Sequence, residues 1–143
     1  MAKELTRPIA IHLAAAALFA TAVHAGDLRV EVRGLPAAAS GIVNVALFDK
    51  AEGFPKTVLS GQRIAAAPGA VVVVFPDLKP GDYVVSAFLD ENGNGQLDTN
   101  LLGLPTEKYG FSNDARGAFG PPSFGDARLH VGAEGAAIVV NLR

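Results

Sequence analysis

Hydrophobic and polar side chains alternate along much of the chain after residue 26. In segment 27–33, Leu28, Val30 and Val32 are separated by charged residues. This two-residue period is typical of a β-strand with one buried face. The same pattern, or a short apolar run, predicts six further strands at 41–48, 62–67, 70–75, 82–89, 127–131 and 136–142. No segment shows a sustained helical period.

Turn-forming residues separate these strands. Glycine and proline cluster at 34–36, 68–69, 79–82 and 132–135. About seven short strands at this spacing predict an all-β fold, an antiparallel β-sandwich of the immunoglobulin-like or prealbumin-like kind. Segment 71–74 is apolar on both faces, which favours a central or covered strand.

A corner between two predicted strands supports this fold class. Phe75 and Leu78 can enter the core while Pro80 and Gly81 turn the chain, and Tyr83 opens the next strand. The phenol can bury its ring and still bond a backbone group at the corner. The arrangement looks like a turn of immunoglobulin-like and prealbumin-like domains, and it indicates no activity.

The N-terminal 25 residues have the features of a secretory signal peptide. Lys3 and Arg7 precede an apolar run at 9–23, and small residues lead up to a cleavage point after Ala25. We therefore predict a single mature domain, 26–143, in the periplasm or secreted. The alternative is an uncleaved membrane anchor, which is disfavoured because the run is shorter than the ~20 residues of a spanning helix.

Composition excludes several function classes. The 143 residues contain no cysteine and carry a formal net charge of −2, so disulfide scaffolds, thiolate metal sites and the basic stripe of nucleic-acid binders are absent. We also expect no enzyme. There is no Gly-x-Ser-x-Gly elbow and no phosphate-binding glycine loop that leads into a helix. His130, the single histidine after residue 25, lies on a predicted strand with its side chain outward.

The segment DENGNGQLD at 90–98 has the highest density of potential metal-ligating side chains. Oxygen-bearing side chains at positions 1, 3, 5 and 9, with Gly95 at position 6, match the first nine places of an EF-hand-type calcium loop. Position 12, where a bidentate glutamate belongs, is Leu101. With two carboxylates, the expected Ca²⁺ affinity is weak, on the order of 10⁻⁴ to 10⁻³ M. The predicted ligands are Asp90, Asn92, Asn94, the backbone carbonyl of Gln96, and Asp98.

Two interpretations of this loop remain open. A third carboxylate from Asp49, Glu107, Asp114 or Asp126 could complete the shell of a bound calcium ion. Alternatively, Asn-Gly-Asn-Gly is a polar hairpin tip that binds nothing, since Asn-Gly is a strong hairpin signal.

A long irregular loop follows, from residue 99 to 125, and it is rich in aromatic residues. Irregular stretches of this length are uncommon in compact domains and are often functional. The loop could be a platform for a sugar or peptide, a docking surface for an envelope protein with an exposed aromatic anchor, or a satellite core packed inward. The candidate residues are Tyr109, Phe111, Asn113, Asp114, Arg116, Phe119 and Phe124.

Several linked motifs make the chain recognisable. They are DENGNG at 90–95, LDTN at 97–100, GLP at 103–105, YGFSN at 109–113 and FGPPSF at 119–124. Together they resemble the bacterial family named domain of unknown function twenty-one forty-one, over essentially all of 26–143. The resemblance implies a small exported protein with no assigned activity, and it makes the region 90–124 a family hallmark that favours a specific binding role.

Overall fold

The structure, a computed structural model, describes residues 26–143. The predicted signal peptide at 1–25 lies outside the described residues. In the described part, strands dominate, and a 3₁₀ turn at Ser112–Asp114 and a four-residue helix, α1 (Phe124–Ala127), are the helical elements. None of the helical segments there has the length and apolar character needed to span a bilayer. The strands are β1 (Leu28–Leu35), β2 (Ile42–Phe48), β3 (Ser60–Ala65), β4 (Gly69–Phe75), β5 (Gly81–Asp90), β6 (Tyr109–Phe111), β7 (Leu129–Val131) and β8 (Ala136–Asn141).

The strands form two sheets, which confirms the predicted β-sandwich. One sheet has the order β4-β1-β8 and the other β3-β2-β5-β6, with β7 paired to the start of β5. The pairing of β1 with β8 is parallel, and the other strand pairs are antiparallel. Strand β1 is therefore central, with Leu28 opposite Phe75 on one side and Ala136 on the other.

The main core lies between the two sheets. Alternate residues of each strand point into it, because successive side chains on a strand face opposite ways. Burial of each such aliphatic side chain contributes about 1.5–3 kcal/mol. The largest fully buried side chains of this core are Phe75, Leu28, Leu47, Leu89, Val30, Val32, Val43, Val45, Val85 and Val131.

A second, smaller core covers the outer face of the sheet that contains β2 and β5. Phe48 and Val84 point to this face and are buried there. The ring of Phe54 makes edge-to-face contacts with Phe48, Phe111 and Phe124 at centroid distances of 5.0, 6.1 and 6.0 Å. Two of the aromatic residues of the long loop thus pack inward, as the satellite-core interpretation requires.

Two local features differ from the sequence-based expectation. Strand β4, which contains segment 71–74, is an edge strand with Val74 exposed, so the expectation of a central or covered strand was wrong. The open edge is partly covered by the neighbouring β3, whose Gln62 side chain donates to the carbonyl of Val74 at 3.2 Å. In addition, the long loop contributes strand β6, which no alternating pattern marks because it has three residues.

The predicted tyrosine corner is present. The ring of Tyr83 is buried, and its hydroxyl donates to the carbonyl of Lys79 at 2.6 Å. Phe75 is buried in the core and Leu78 packs against it. Burial raises the pKa of the Tyr83 phenol above its ordinary value of 10.0, and the Asp49 carboxylate raises it further.

Replacing the corner tyrosine gives a pH-dependent prediction. Tyr83→Phe should lower the free energy of unfolding at pH 7 by about 1 kcal/mol through the lost hydrogen bond. Because the folded-state pKa is raised, the neutral phenol's contribution is complete below about pH 10 and is lost as the pH rises through the folded pKa. Urea unfolding between pH 9 and 12 should therefore show a free energy of unfolding that falls less with rising pH in Tyr83→Phe than in Tyr109→Phe. The second variant is the control, because it removes a partly exposed phenol and retains Tyr83. Identical pH slopes in the two variants would contradict the assignment.

Candidate functional site

The candidate metal loop begins where β5 ends. Asp90 is fully buried, and its carboxylate accepts the backbone N–H of Asn94 at 3.2 Å and of Gly95 at 2.8 Å. Gly93 and Gly95 have φ values of 72° and 76°, which favour glycine. The Asp90 side chain therefore curls the loop back over the end of the strand.

The other predicted side-chain ligands meet across this curl. The carboxylate of Asp98 accepts the Nδ2 amides of Asn92 at 2.5 Å and Asn94 at 2.6 Å. The Oδ1 atoms of the same asparagines accept backbone N–H groups two residues further on, from Asn94 and Gln96. The structure thus joins the side chains of Asp90, Asn92, Asn94 and Asp98 in one hydrogen-bonded loop. Gln96 enters it through its backbone N–H, whereas the predicted ligand was its carbonyl.

A glutamate from the far end of the same loop closes it. The Glu107 carboxylate accepts the N–H of Glu91 at 3.1 Å and of Asp98 at 3.0 Å. Of the four additional carboxylates that the sequence suggested, Glu107 is the one that the structure brings to this loop by hydrogen bonding among residues 26–143. Asp114 instead accepts the amide of Asn141 at 3.0 Å.

The loop at 90–98 carries several carboxylates that have no cationic partner in the described part of the chain. Asp90, Glu91, Asp98 and Glu107 lie in or against the loop, and within residues 26–143 none of them forms an ion pair with a lysine, arginine or histidine. In the same range, no three carboxylate or imidazole side chains converge as a ready metal-binding group. A cation here would therefore rely on two carboxylates supplemented by amide and backbone oxygens.

Gly41 fixes the start of the loop from the neighbouring strand. Its φ is +93°, and a Cβ there would collide with the Asp90 carbonyl and approach the Glu91 Cα to 2.9 Å. This close approach helps to bury Asp90. Sequence reasoning missed the role of Gly41, because nothing near residue 41 indicates contact with residue 90.

A groove of about 380 Å³ lies beside β6 and the end of β8. Asp114 sits in it with one carboxylate oxygen 3.7 Å from the Arg143 guanidinium. Asn141 and Arg143 were not among the sequence candidates, since they lie beyond the loop, near residue 143, and carry no motif. The side chains that line the groove belong to Tyr109, Phe111, Asp114, Ala115, Arg116, Asn141 and Arg143.

Asn113 supports the groove from behind. Its Nδ2 donates to the Arg128 carbonyl at 2.5 Å. Asn113 and Asp114 have φ values of 60° and 50°, a left-handed conformation that is uncommon for residues with a side chain. This turn directs Asp114 toward Asn141, so Asn113 has a positioning role while Asp114 and Arg116 face the groove.

Ser112 fills a gap in the sheet. On its outer edge, β5 pairs with β7 at Gly81–Tyr83 and with β6 at Ser86–Phe88. Between these two ladders, the buried Ser112 hydroxyl accepts the N–H of Val85 at 3.0 Å and donates to the Ala127 carbonyl at 2.5 Å. A serine that could be mistaken for a nucleophile is therefore occupied by backbone groups.

The remaining aromatic candidates differ in exposure. The Tyr109 ring is partly exposed and stands edge-on to Phe111 at 6.2 Å. Phe119 is fully exposed. His130 is outward-facing, with its Nδ1 atom 3.0 Å from the Asp82 carboxylate.

Comparison with known proteins places this arrangement in a family. The family model described as "Uncharacterized protein conserved in bacteria (DUF2141)" matches residues 30–139. The chain belongs to the DUF2141 family. The DUF2141 match spans both sheets apart from the ends of β1 and β8, and it includes the candidate metal loop and the groove residues at 109–117. A search of curated proteins and a search of solved structures each found no match.

Proposed function

We propose that this DUF2141 protein is an exported, non-catalytic binding module whose loop at 90–98 binds Ca²⁺ weakly. The ion holds the long loop in position for contact with a partner in the cell envelope. The observation that carries the proposal is the buried Asp90 carboxylate, close to Asn92, Asn94 and Asp98 in a loop whose carboxylates form no ion pair with a cationic side chain of residues 26–143.

The donor chemistry suits calcium. Ca²⁺ takes six to eight oxygen ligands from carboxylates, amides, backbone carbonyls and water, and it tolerates irregular geometry. In the structure the Asn92 and Asn94 amides present nitrogen to Asp98. For the ion to bind, each Oδ1 atom must leave the backbone N–H group that it now accepts, from Asn94 or Gln96, and turn toward Asp98. The ion then replaces the two N–H donors as the partner of the Asp98 carboxylate.

The same ion would stabilise the start of the long loop. Glu107 links both ends of the segment 91–107 through backbone N–H groups. A divalent ion reduces the mutual repulsion of Asp90, Asp98 and Glu107, which otherwise opposes this closure. The proposed role of calcium is therefore to hold a loop that is already close to its bound form.

Thermal melting with 1 mM Ca²⁺ or with a chelator tests the proposal. For a dissociation constant of 10⁻⁴ to 10⁻³ M, calcium should add roughly 0.4–1.4 kcal/mol, which raises the melting temperature by a few degrees. Asp98→Asn keeps the side-chain shape but removes one ligand charge, so it should abolish most of the shift. Asp82→Asn is the matched control, because Asp82 pairs with Arg128 and His130 away from the loop.

The contrary result is a melting temperature of the unaltered protein that is the same in calcium and in chelator. That outcome would leave a purely structural module.

The groove lined by Tyr109, Arg116 and Arg143 favours a glycan as a second candidate ligand, because an aromatic ring and guanidinium groups suit a polar sugar. Such binding would not depend on calcium.

A further inference from the structure

A short turn beside the metal loop exposes three leucines, and we name it the leucine tip (residues 100–105). Leu101, Leu102 and Leu104 are 106%, 83% and 57% exposed. Scattered apolar residues are normal on a protein surface, but a contiguous exposed group marks an interaction site. The leucine tip is such a group.

The turn holds these leucines outward by its own hydrogen bonds. The Oδ1 atom of Asn100 accepts the N–H groups of Leu102 at 2.9 Å and Leu104 at 3.0 Å, and the Asn100 N–H donates to the Leu104 carbonyl at 2.8 Å. A β-bridge between Thr99 and Pro105 closes the base. Because backbone groups pair within the turn, moving the tip into an apolar phase leaves fewer of them without partners.

The leucine tip is attached directly to the candidate calcium loop. The Thr106 N–H and hydroxyl both donate to the Asp98 carbonyl, at 2.9 and 3.2 Å. Position 12 of the calcium-loop pattern, where a protein carboxylate would supply two ligands, is Leu101. The missing ligands and the exposed leucines therefore fall on the same segment.

We propose that the leucine tip inserts into the surface of a phospholipid bilayer when Ca²⁺ occupies the loop at 90–98, with lipid phosphate oxygens completing the ion's shell. This inference rests on the proposed function and names the partner of the loop. The charges support the coupling to calcium, because the acidic loop alone would be repelled by an anionic lipid surface. The ion removes that repulsion and offers open positions to phosphate.

The shape of the tip favours a bilayer over a protein. Stable protein interfaces bury roughly 1,200–2,000 Å² and centre on aromatic or arginine anchors in pockets. Three leucines on a convex turn provide neither the area nor the anchors. A bilayer surface needs no complementary shape, and its attraction grows with the apolar area that enters it.

Vesicle co-sedimentation tests the inference. The mature chain from Gly26, which contains both sheets and their core, is mixed with phosphatidylcholine vesicles containing phosphatidylglycerol, in calcium or in chelator. We expect sedimentation in calcium only. The double variant Leu101→Ser, Leu102→Ser should bind the vesicles at least roughly tenfold more weakly, while its calcium-dependent melting shift stays unchanged. The control Val58→Ser, Leu59→Ser alters exposed apolar residues elsewhere and should bind normally.

The outcomes separate this inference from the proposed function. Asp98→Asn should lose both the melting shift and vesicle binding. A calcium melting shift without sedimentation, or sedimentation that the leucine substitutions leave intact, would overturn bilayer docking but keep the calcium site. Sedimentation that is equal in chelator would overturn the coupling to calcium. Absence of any melting shift would overturn the proposed function itself.

Discussion

Ser112→Ala should lower the free energy of unfolding by about 3 kcal/mol, because each buried polar group left without a partner costs about 1–3 kcal/mol. The hydroxyl serves two backbone groups, the N–H of Val85 and the carbonyl of Ala127, and both residues are fully buried. Alanine can neither accept from the first nor donate to the second. Chemical denaturation at pH 7 measures the loss directly, and the melting temperature should fall by roughly 10 °C.

Ser123→Ala is the matched control in the same loop. Ser123 is exposed, and its hydroxyl accepts the Asp126 N–H at 3.1 Å as the N-cap of α1. Loss of such a cap costs about 1 kcal/mol. If the free energy of unfolding falls by the same small amount in both serine variants, Ser112 does not replace a strand partner for β5.

This interpretation changes the meaning of the YGFSN segment. The sequence analysis named Tyr109, Phe111 and Asn113 of this segment as candidates for contact with a ligand or partner. In the structure, Ser112 completes the edge of β5, and Asn113 attaches the turn to the Arg128 carbonyl. Tyr109 and Phe111 of the same segment line the groove, so one part of the motif contributes to the candidate site and the other part serves the fold that positions it.

The strands were predictable where the information is local. Alternation in β1 and β2 follows from one buried face, and the Pro-Gly turn before Tyr83 follows from backbone preferences within a few residues. The boundaries of all seven predicted strands agree with the structure to within two residues. The last turn before β7 is helical, because the Ser123 cap starts α1 there.

Strand order was not predictable from these patterns. The edge position of β4 and the parallel pairing of β1 with β8 depend on partners far away in sequence. An apolar run such as 71–74 is expected in a central strand, yet in β4 the outward Val72 is only partly covered and Val74 is exposed. Strand β6 exists because β5 offers an open edge, not because its three residues show a pattern.

The candidate site was likewise predictable where the information is local and unpredictable where it comes from distant residues. The spacing predicted a curled loop that turns alternate residues inward. In the structure Asn92 and Asn94 bond Asp98 through their side chains, whereas the Asp90 carboxylate accepts backbone N–H groups of the same loop. The contributions of Gly41 and of the groove residues near the C-terminus were not visible, because they come from other strands. Glu107 could be named only as one of four carboxylates.

The contact between β6 and β8 depends on the absence of a side chain at Gly110. These strands belong to different sheets, and the backbone of Tyr109 in β6 bonds that of Arg143, just past the end of β8, at 3.2 and 3.0 Å. A Cβ on Gly110 would collide with the Asn141 carbonyl oxygen and approach its carbon to 3.0 Å. Since the obstacle is backbone, no side-chain rotation can relieve it, and the sheets must separate at this edge.

Gly110→Ala should therefore destabilise the protein by about 3 kcal/mol, the upper part of the usual range for overpacking, as measured by urea unfolding. Gly61→Ala is the control within another strand, because the nearest atom to a Cβ there is 3.9 Å away; it should be neutral or slightly stabilising, since alanine reduces the entropy of the unfolded chain. Amide exchange should also quicken at Tyr109 and Arg143 in Gly110→Ala. Equal stabilities for the two alanine variants would show that the two sheets can separate at this edge without cost.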